Sequence, residues 1–352
     1  MTGPSTPEGG PPSEEATPGA IEPVATNTAA APNFVTAPRA RGLTEFTIEG
    51  RRAPALFVVG WLAMIAALAL ASLALFGAGG PSASIFWLLT FAAASVGLIL
   101  LGGSQSLERR AVGAEYAGPS PMLVLLAAVA VTQVAGFAVG IPLQSIGVAI
   151  RREVGDLIAV SIQALVFIGV VRLMVVGTGA LSWREMGLVG PARLRAALAG
   201  AVYAGPVVFV TTLVALVVVA LVQVRPESPL PPTGTAEGLV LHLLAGAIIA
   251  PVAEEVLFRG FALTAWRRTV GTRAAIVRSS LVFVLAHVVL VGGDRFEDAL
   301  KLAFVAGAVR IPVALALGWI FVRTGSLWAS IGLHATFNGI LITLAELAAN
   351  AA

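Results

Sequence analysis

There is no cysteine anywhere in the 352 residues, which removes disulfides, thiolate metal ligands and a cysteine nucleophile from consideration. Charge is scarce as well. Charged residues make up 12% of the chain against 57% hydrophobic, and the mean hydropathy of +0.92 lies far from that of a soluble domain. Aspartate occurs three times, at Asp156, Asp294 and Asp298. All three fall at the ends of apolar runs or between them, so an aspartyl dyad at membrane depth is excluded. The opening MTGPSTPEGGPPSEEATPGA has no basic start, apolar core or cleavage site, and therefore does not read as a signal peptide.

What the chain has in quantity is apolar sequence. A bilayer core of roughly 30 Å takes about 20 helical residues to cross. Runs of that length stand at about 54–77, 84–103, 121–145, 156–177, 196–224, 238–262, 274–292, 303–322 and 326–348. These continuous Ala/Leu/Val-rich stretches predict an all-α, polytopic transmembrane bundle of about eight or nine spans, since a β-barrel would show short alternating segments. If 121–145 is re-entrant the count is eight. Three regions follow: a Pro/Gly/Thr-rich tail over 1–50 that reads as disordered, membrane helices over 51–230, and a last group over 238–348.

The formal net charge of +3 does not indicate nucleic acid, because the arginines sit beside span ends. Arg51 and Arg52, Arg109 and Arg110, Arg184, Arg193 and Arg195, and Arg267, Arg268, Arg273 and Arg278 all fall on one side of a nine-span chain. By the positive-inside tendency that side is the cytoplasm, which places the protein in the cell membrane with a cytoplasmic N-terminus. Arg151 and Arg152 dissent, with Glu153 and Asp156 beside them.

Against this background two adjacent carboxylates, Glu254 and Glu255, stand inside LLAGAIIAPVAEEVLFRGFAL. A carboxylate at membrane depth costs several kcal/mol unless paired, hydrated or protonated, so the pair is a functional-site candidate. All three histidines, His242, His287 and His334, occupy the same third of the chain. Glu254 lies 13 residues from Arg267, His287 9 from Arg278 and His334 11 from Arg323, which puts each roughly 13–20 Å in from the basic side. One shared interior cavity, wet and open to the cytoplasm, satisfies such groups best. Helix spacing pairs Glu255 with Arg259 and turns Glu254 about 100° away. It also puts His334 and Asn338 on one face, two donors for a developing negative charge, and places His287 one turn beyond Phe283. His242 lies near the opposite face and reads as structural; Arg172 and Arg310 take no role from the pattern.

AEEVLFRG, FVLAH and HATFN, in this order and on consecutive hydrophobic runs, resemble the three motifs of the CAAX-protease and bacteriocin-processing family of intramembrane proteases. The resemblance covers about 245–340. It implies an intramembrane endopeptidase acting on a membrane-associated peptide or protein, in which Glu254 and His287 activate a water while His334 and Asn338 stabilise the oxyanion, with Glu255 and Arg259 completing the motif. No cofactor is required on that reading. Zinc held by Glu254, His287 and His334 is the alternative, although H-E-x-x-H is absent. A serine enzyme built on Ser104 lacks a paired histidine. A proton-coupled transporter or a non-catalytic scaffold or immunity protein would use the same polar groups without turnover.

Overall fold

The computed structural model describes Gly3 and residues 47–351, apart from 78, 80, 148–149, 191, 225–229, 290 and 294. Nearly all of the tail expected to be disordered lies outside the described residues. Within them the chain is helical, with no strand. The helices are α1 (Pro54–Phe76), α2 (Pro81–Ala111), α3 (Pro121–Ser145), α4 (Arg152–Val176), α5 (Arg193–Val202), α6 (Ala204–Val222), α7 (Ala236–Val270), α8 (Thr272–Val288), α9 (Phe296–Ala308), α10 (Ile311–Thr324) and α11 (Leu327–Asn350). Proline opens α1, α2 and α3, where its missing N–H costs nothing.

Among the described residues, eight segments are long and apolar enough to cross a membrane: α1, α2, α3, α4, α5 with α6, α7, α9 with α10, and α11. The protein is an all-α, multi-pass membrane bundle. The run at 121–145 is one unbroken helix and not a re-entrant loop. The short element is α8, at 17 residues. Hydrogen bonds at the two ends of the bundle show that it too crosses. At one end, Arg268 near the close of α7 pairs with Glu185 at 2.6 Å, and Leu327, opening α11, donates to the Gly187 carbonyl at 3.0 Å. At the other, Arg151 grips Glu237 at the start of α7 through two bonds of 2.6 and 3.1 Å, and Glu346, late in α11, accepts from Thr233 at 2.9 Å. The close of α7 and the opening of α11 therefore share an end. The α9–α10 segment can return there only if α8 has first crossed away from it, which makes nine passes.

The Glu185–Arg268 contact fastens the loop after α4 to α7. Glu185 is held down to about 2, first by the Ser182 hydroxyl and then by the Arg268 guanidinium.

α7 is the centre, with α4, α8, α10 and α11 against it. Every residue from Val256 to Leu263 is buried, as befits a helix apolar on almost all sides. On the far side of α11, α5 approaches backbone to backbone. A Cβ on Gly200 would overlap the Ala329 carbonyl, and one on Gly332 would overlap the Ala197 carbonyl. This small-residue contact of the kind that joins membrane helices fixes α11 two residues before His334.

Candidate active site

α7 is not a uniform helix. Two π-helical stretches, Leu244–Ile249 and Val256–Leu263, flank the short α-helical piece that carries Glu254 and Glu255. Side-chain donors serve carbonyls of both: Asn338 Nδ2 donates to Gly246 O at 2.7 Å, Ser279 Oγ to Phe258 O at 3.0 Å and Thr264 Oγ1 to Arg259 O at 3.3 Å. Insertion of such groups accounts for the departure from regular winding, a recurrent feature of functional sites.

The two glutamates have different surroundings. Glu255 is fully buried and meets three donors: Arg259 Nη1 at 2.9 Å, His334 Nδ1 at 2.9 Å and Ser330 Oγ at 2.5 Å. The i,i+4 ion pair expected from the spacing is present. Arg259, also fully buried, reaches the Ala314 carbonyl with its other terminal nitrogen at 3.3 Å and lies 4.2 Å above the Phe283 ring, a cation–π contact in a dry setting. Phe283 also packs against Phe258, His287 and His334, with ring centroids at 5.2, 4.4 and 5.8 Å. One aromatic ring thus holds the arginine and both imidazoles in place.

Glu254 keeps 12% of its side chain exposed, and its Oε2 stands 3.8 Å from His287 Nε2 and 3.8 Å from His334 Nε2. The carboxylate that spacing turned away from Arg259 faces both histidines, and α7, α8 and α11 bring the three groups to one level. The protons can be assigned from the partners. His287 Nδ1 lies 2.7 Å from Phe283 O, and a carbonyl can only accept, so Nδ1 carries the hydrogen. His334 Nδ1 likewise donates to the Glu255 carboxylate. In the neutral imidazoles both Nε2 atoms are then lone-pair acceptors aimed at Glu254. At 3.8 Å neither is a direct hydrogen bond; the gap suits a bridging water.

Asn338 shares the face of His334, and its amide nitrogen serves Gly246 with one hydrogen while the other remains. Ser330 escaped the sequence reading although it sits one turn before His334, a spacing that marks the same face. His242 is buried at the far end of α7, 3.5 Å from Asp156 of α4, where its position predicted a structural role. Neither of two cavities found among the described residues, of about 430 and 260 Å3, is lined by Glu254, His287 or His334. The shared interior cavity expected from the sequence is neither of these two; Glu254 and His287 keep partial exposure, 12% and 27%. Among the described residues no three His, Cys, Asp or Glu side chains are gathered closely enough to hold a metal ion.

Residues 236–340 match the family Rce1-like, described as type II CAAX prenyl endopeptidase Rce1-like. This match supports a membrane protease of the CAAX-protease and bacteriocin-processing family. It takes in α7 to α10 and most of α11, and with them all six motif residues, whereas α1 to α6 lie outside it. No curated protein and no solved structure matches the chain. At family level the Rce1-like domain supports a CAAX-type intramembrane endopeptidase.

Proposed function

We propose that the protein hydrolyses a peptide bond in a membrane-associated protein or peptide, using Glu254 and His287 to activate a water. The observation that carries this is the 3.8 Å approach of Glu254 Oε2 to both imidazole Nε2 atoms, with each Nδ1 already committed as a donor. A water in that gap gives one hydrogen to Glu254 and the other to His287. Glu254 takes its proton as the water attacks the carbonyl carbon, and returns it to the leaving amine. His334 can donate to the oxyanion only when both its nitrogens are protonated, and the Glu255 carboxylate at 2.9 Å stabilises that cation, as a carboxylate does for the histidine of a catalytic triad. The remaining amide hydrogen of Asn338 is the second donor. Purified protein reconstituted in liposomes should cleave a farnesylated, fluorescence-quenched CAAX peptide at one internal bond, located by mass spectrometry. No cleavage of this or any membrane-extracted peptide would refute the proposal.

No cofactor enters this mechanism. If zinc were resident, Glu254, His287 and His334 would hold it, and it would polarise the water and the carbonyl. We expect activity to survive exhaustive chelation and the purified protein to contain well under one zinc per chain. Activity lost on chelation and restored by zinc would replace the glutamate mechanism with a metal one.

We further propose that the protein resides in the cell membrane with its N-terminus and the α7–α8 turn in the cytoplasm. The basis is the arginine excess at that end of the bundle. A cysteine introduced at Thr272 is preferable to one at Gly271, whose φ of 81° disfavours a side chain. In a chain that otherwise lacks cysteine, an impermeant maleimide should label Thr272→Cys only after the cells are opened. Labelling of intact cells would reverse the orientation.

A further inference from the structure

The Glu255–Arg259 pair is held in an arrangement that leaves one of its own bonds unmade. A guanidinium and a carboxylate frequently meet through two parallel bonds, but here Arg259 reaches Glu255 with Nη1 alone, at 2.9 Å. Its Nε, attached to the same carbon, is buried without a hydrogen-bond partner. An orphaned donor in a dry core is destabilising, so a competing contact must hold the carboxylate away from it. The second carboxylate oxygen shows which contact that is. Glu255 Oε1 takes both Arg259 Nη1 and His334 Nδ1, each at 2.9 Å, while Oε2 takes the Ser330 hydroxyl at 2.5 Å. Ser330 is fully buried. Its hydroxyl also stands 3.2 Å from the Leu317 carbonyl of α10, but it has one proton, and a charged acceptor binds that proton more strongly than a neutral one.

Ser330 is itself held in place. It lies between Ala329 and Gly332, the residues at which α11 meets α5 backbone to backbone, so the helix is gripped on both sides of the serine. We propose that Ser330 is a positioning residue for the reaction: by holding Oε2 it keeps the Glu255 carboxylate out of a two-bond fork with Arg259 and so leaves Oε1 on His334. This rests on the endopeptidase reading of the same site, in which His334 must be oriented and doubly protonated to donate to the oxyanion. Without the hydroxyl, rotation of the carboxylate about its last bond brings Oε2 to the vacant Arg259 Nε and draws Oε1 off the imidazole. The ion pair then gains the bond that His334 loses.

Ser330→Ala should therefore lower kcat for the quenched, farnesylated peptide at least about tenfold, the scale set by misplacing one oxyanion donor, with KM unchanged. The thermal midpoint should be no lower than that of the wild type, because the second bond of the fork replaces the one removed. A serine that only filled the core would lose stability along with rate, so a midpoint that falls, or a kcat that does not, overturns the proposal. A second measurement needs no substrate. The chain has three histidines, so isotopic nitrogen labelling of histidine gives few imidazole signals in a magnetic-resonance spectrum, and His334→Gln identifies that of His334. Its Nδ1 proton should resonate far downfield in the wild type, where a carboxylate accepts it, and move upfield in Ser330→Ala. A resonance that stays in place overturns the proposal even if the rate falls. If the wild type cleaves no peptide, the endopeptidase reading fails, and the resonance still decides whether Ser330 holds Glu255 on His334.

Discussion

Glu254→Gln should lower peptide cleavage by at least about a hundredfold, the usual contribution of a positioned general base, with a thermal midpoint close to that of the wild type. The two halves of this result have separate causes. Glutamine matches glutamate in shape but cannot take the proton of a water lying between it and His287. Stability is spared because Glu254 only approaches the two imidazoles, at 3.8 Å, without a direct hydrogen bond to either, so nothing buried is stranded. Initial rates on the quenched peptide and a thermal melt in the same detergent read both quantities. If the rate is unchanged, the carboxylate is not the base, and a scaffold or transporter becomes the better account of these residues.

Glu255→Gln should do the reverse. Its carboxylate is fully buried and receives Arg259, Ser330 and His334. Removing the charge leaves the Arg259 guanidinium as an uncompensated cation in a dry core, a loss of about 3–5 kcal/mol for comparable buried pairs. The amide nitrogen of glutamine, itself a donor, would also face a donor where the carboxylate offered an acceptor oxygen. The thermal midpoint should drop clearly, and activity should fall with it as His334 loses the group that orients it. Glu255→Gln combined with Arg259→Gln should recover part of the midpoint, because no lone charge then remains buried. A Glu255→Gln protein as stable as the wild type would contradict this account of the pair.

Much of this site could be read from residue order because membrane burial makes ionisable groups conspicuous. Glu254, Glu255 and Arg259 stand out in an apolar run, and i,i+4 spacing pairs two of them correctly. His287 and His334 are conspicuous for the same reason. Ser330 was not, since a serine in a membrane helix commonly returns its hydroxyl to its own backbone, as Ser72 and Ser161 do here. Only the packing of α11 against α7 shows that its proton goes to Glu255. The number of passes was legible to within one. The remaining ambiguity fell on 121–145, because hydropathy does not separate a re-entrant loop from a span; the unbroken helix Pro121–Ser145 supplied what was missing.

The two π stretches in α7 set a different kind of limit. A π turn closes on the fifth residue where an α turn closes on the fourth, so each stretch holds residues in excess of a regular helix of the same height. Deleting one residue from Leu244–Ile249 would relax that stretch toward ordinary winding and shorten the span only slightly. A deletion between that stretch and Glu254 has no wide turn to absorb it and would rotate the glutamates by about 100° against the earlier part of the helix, carrying Glu255 into the direction that Glu254 now holds. α7 therefore tolerates changes of composition along its lipid-facing side better than changes of length, and its reading frame of side-chain directions is bound to the number of residues between Leu244 and Leu263.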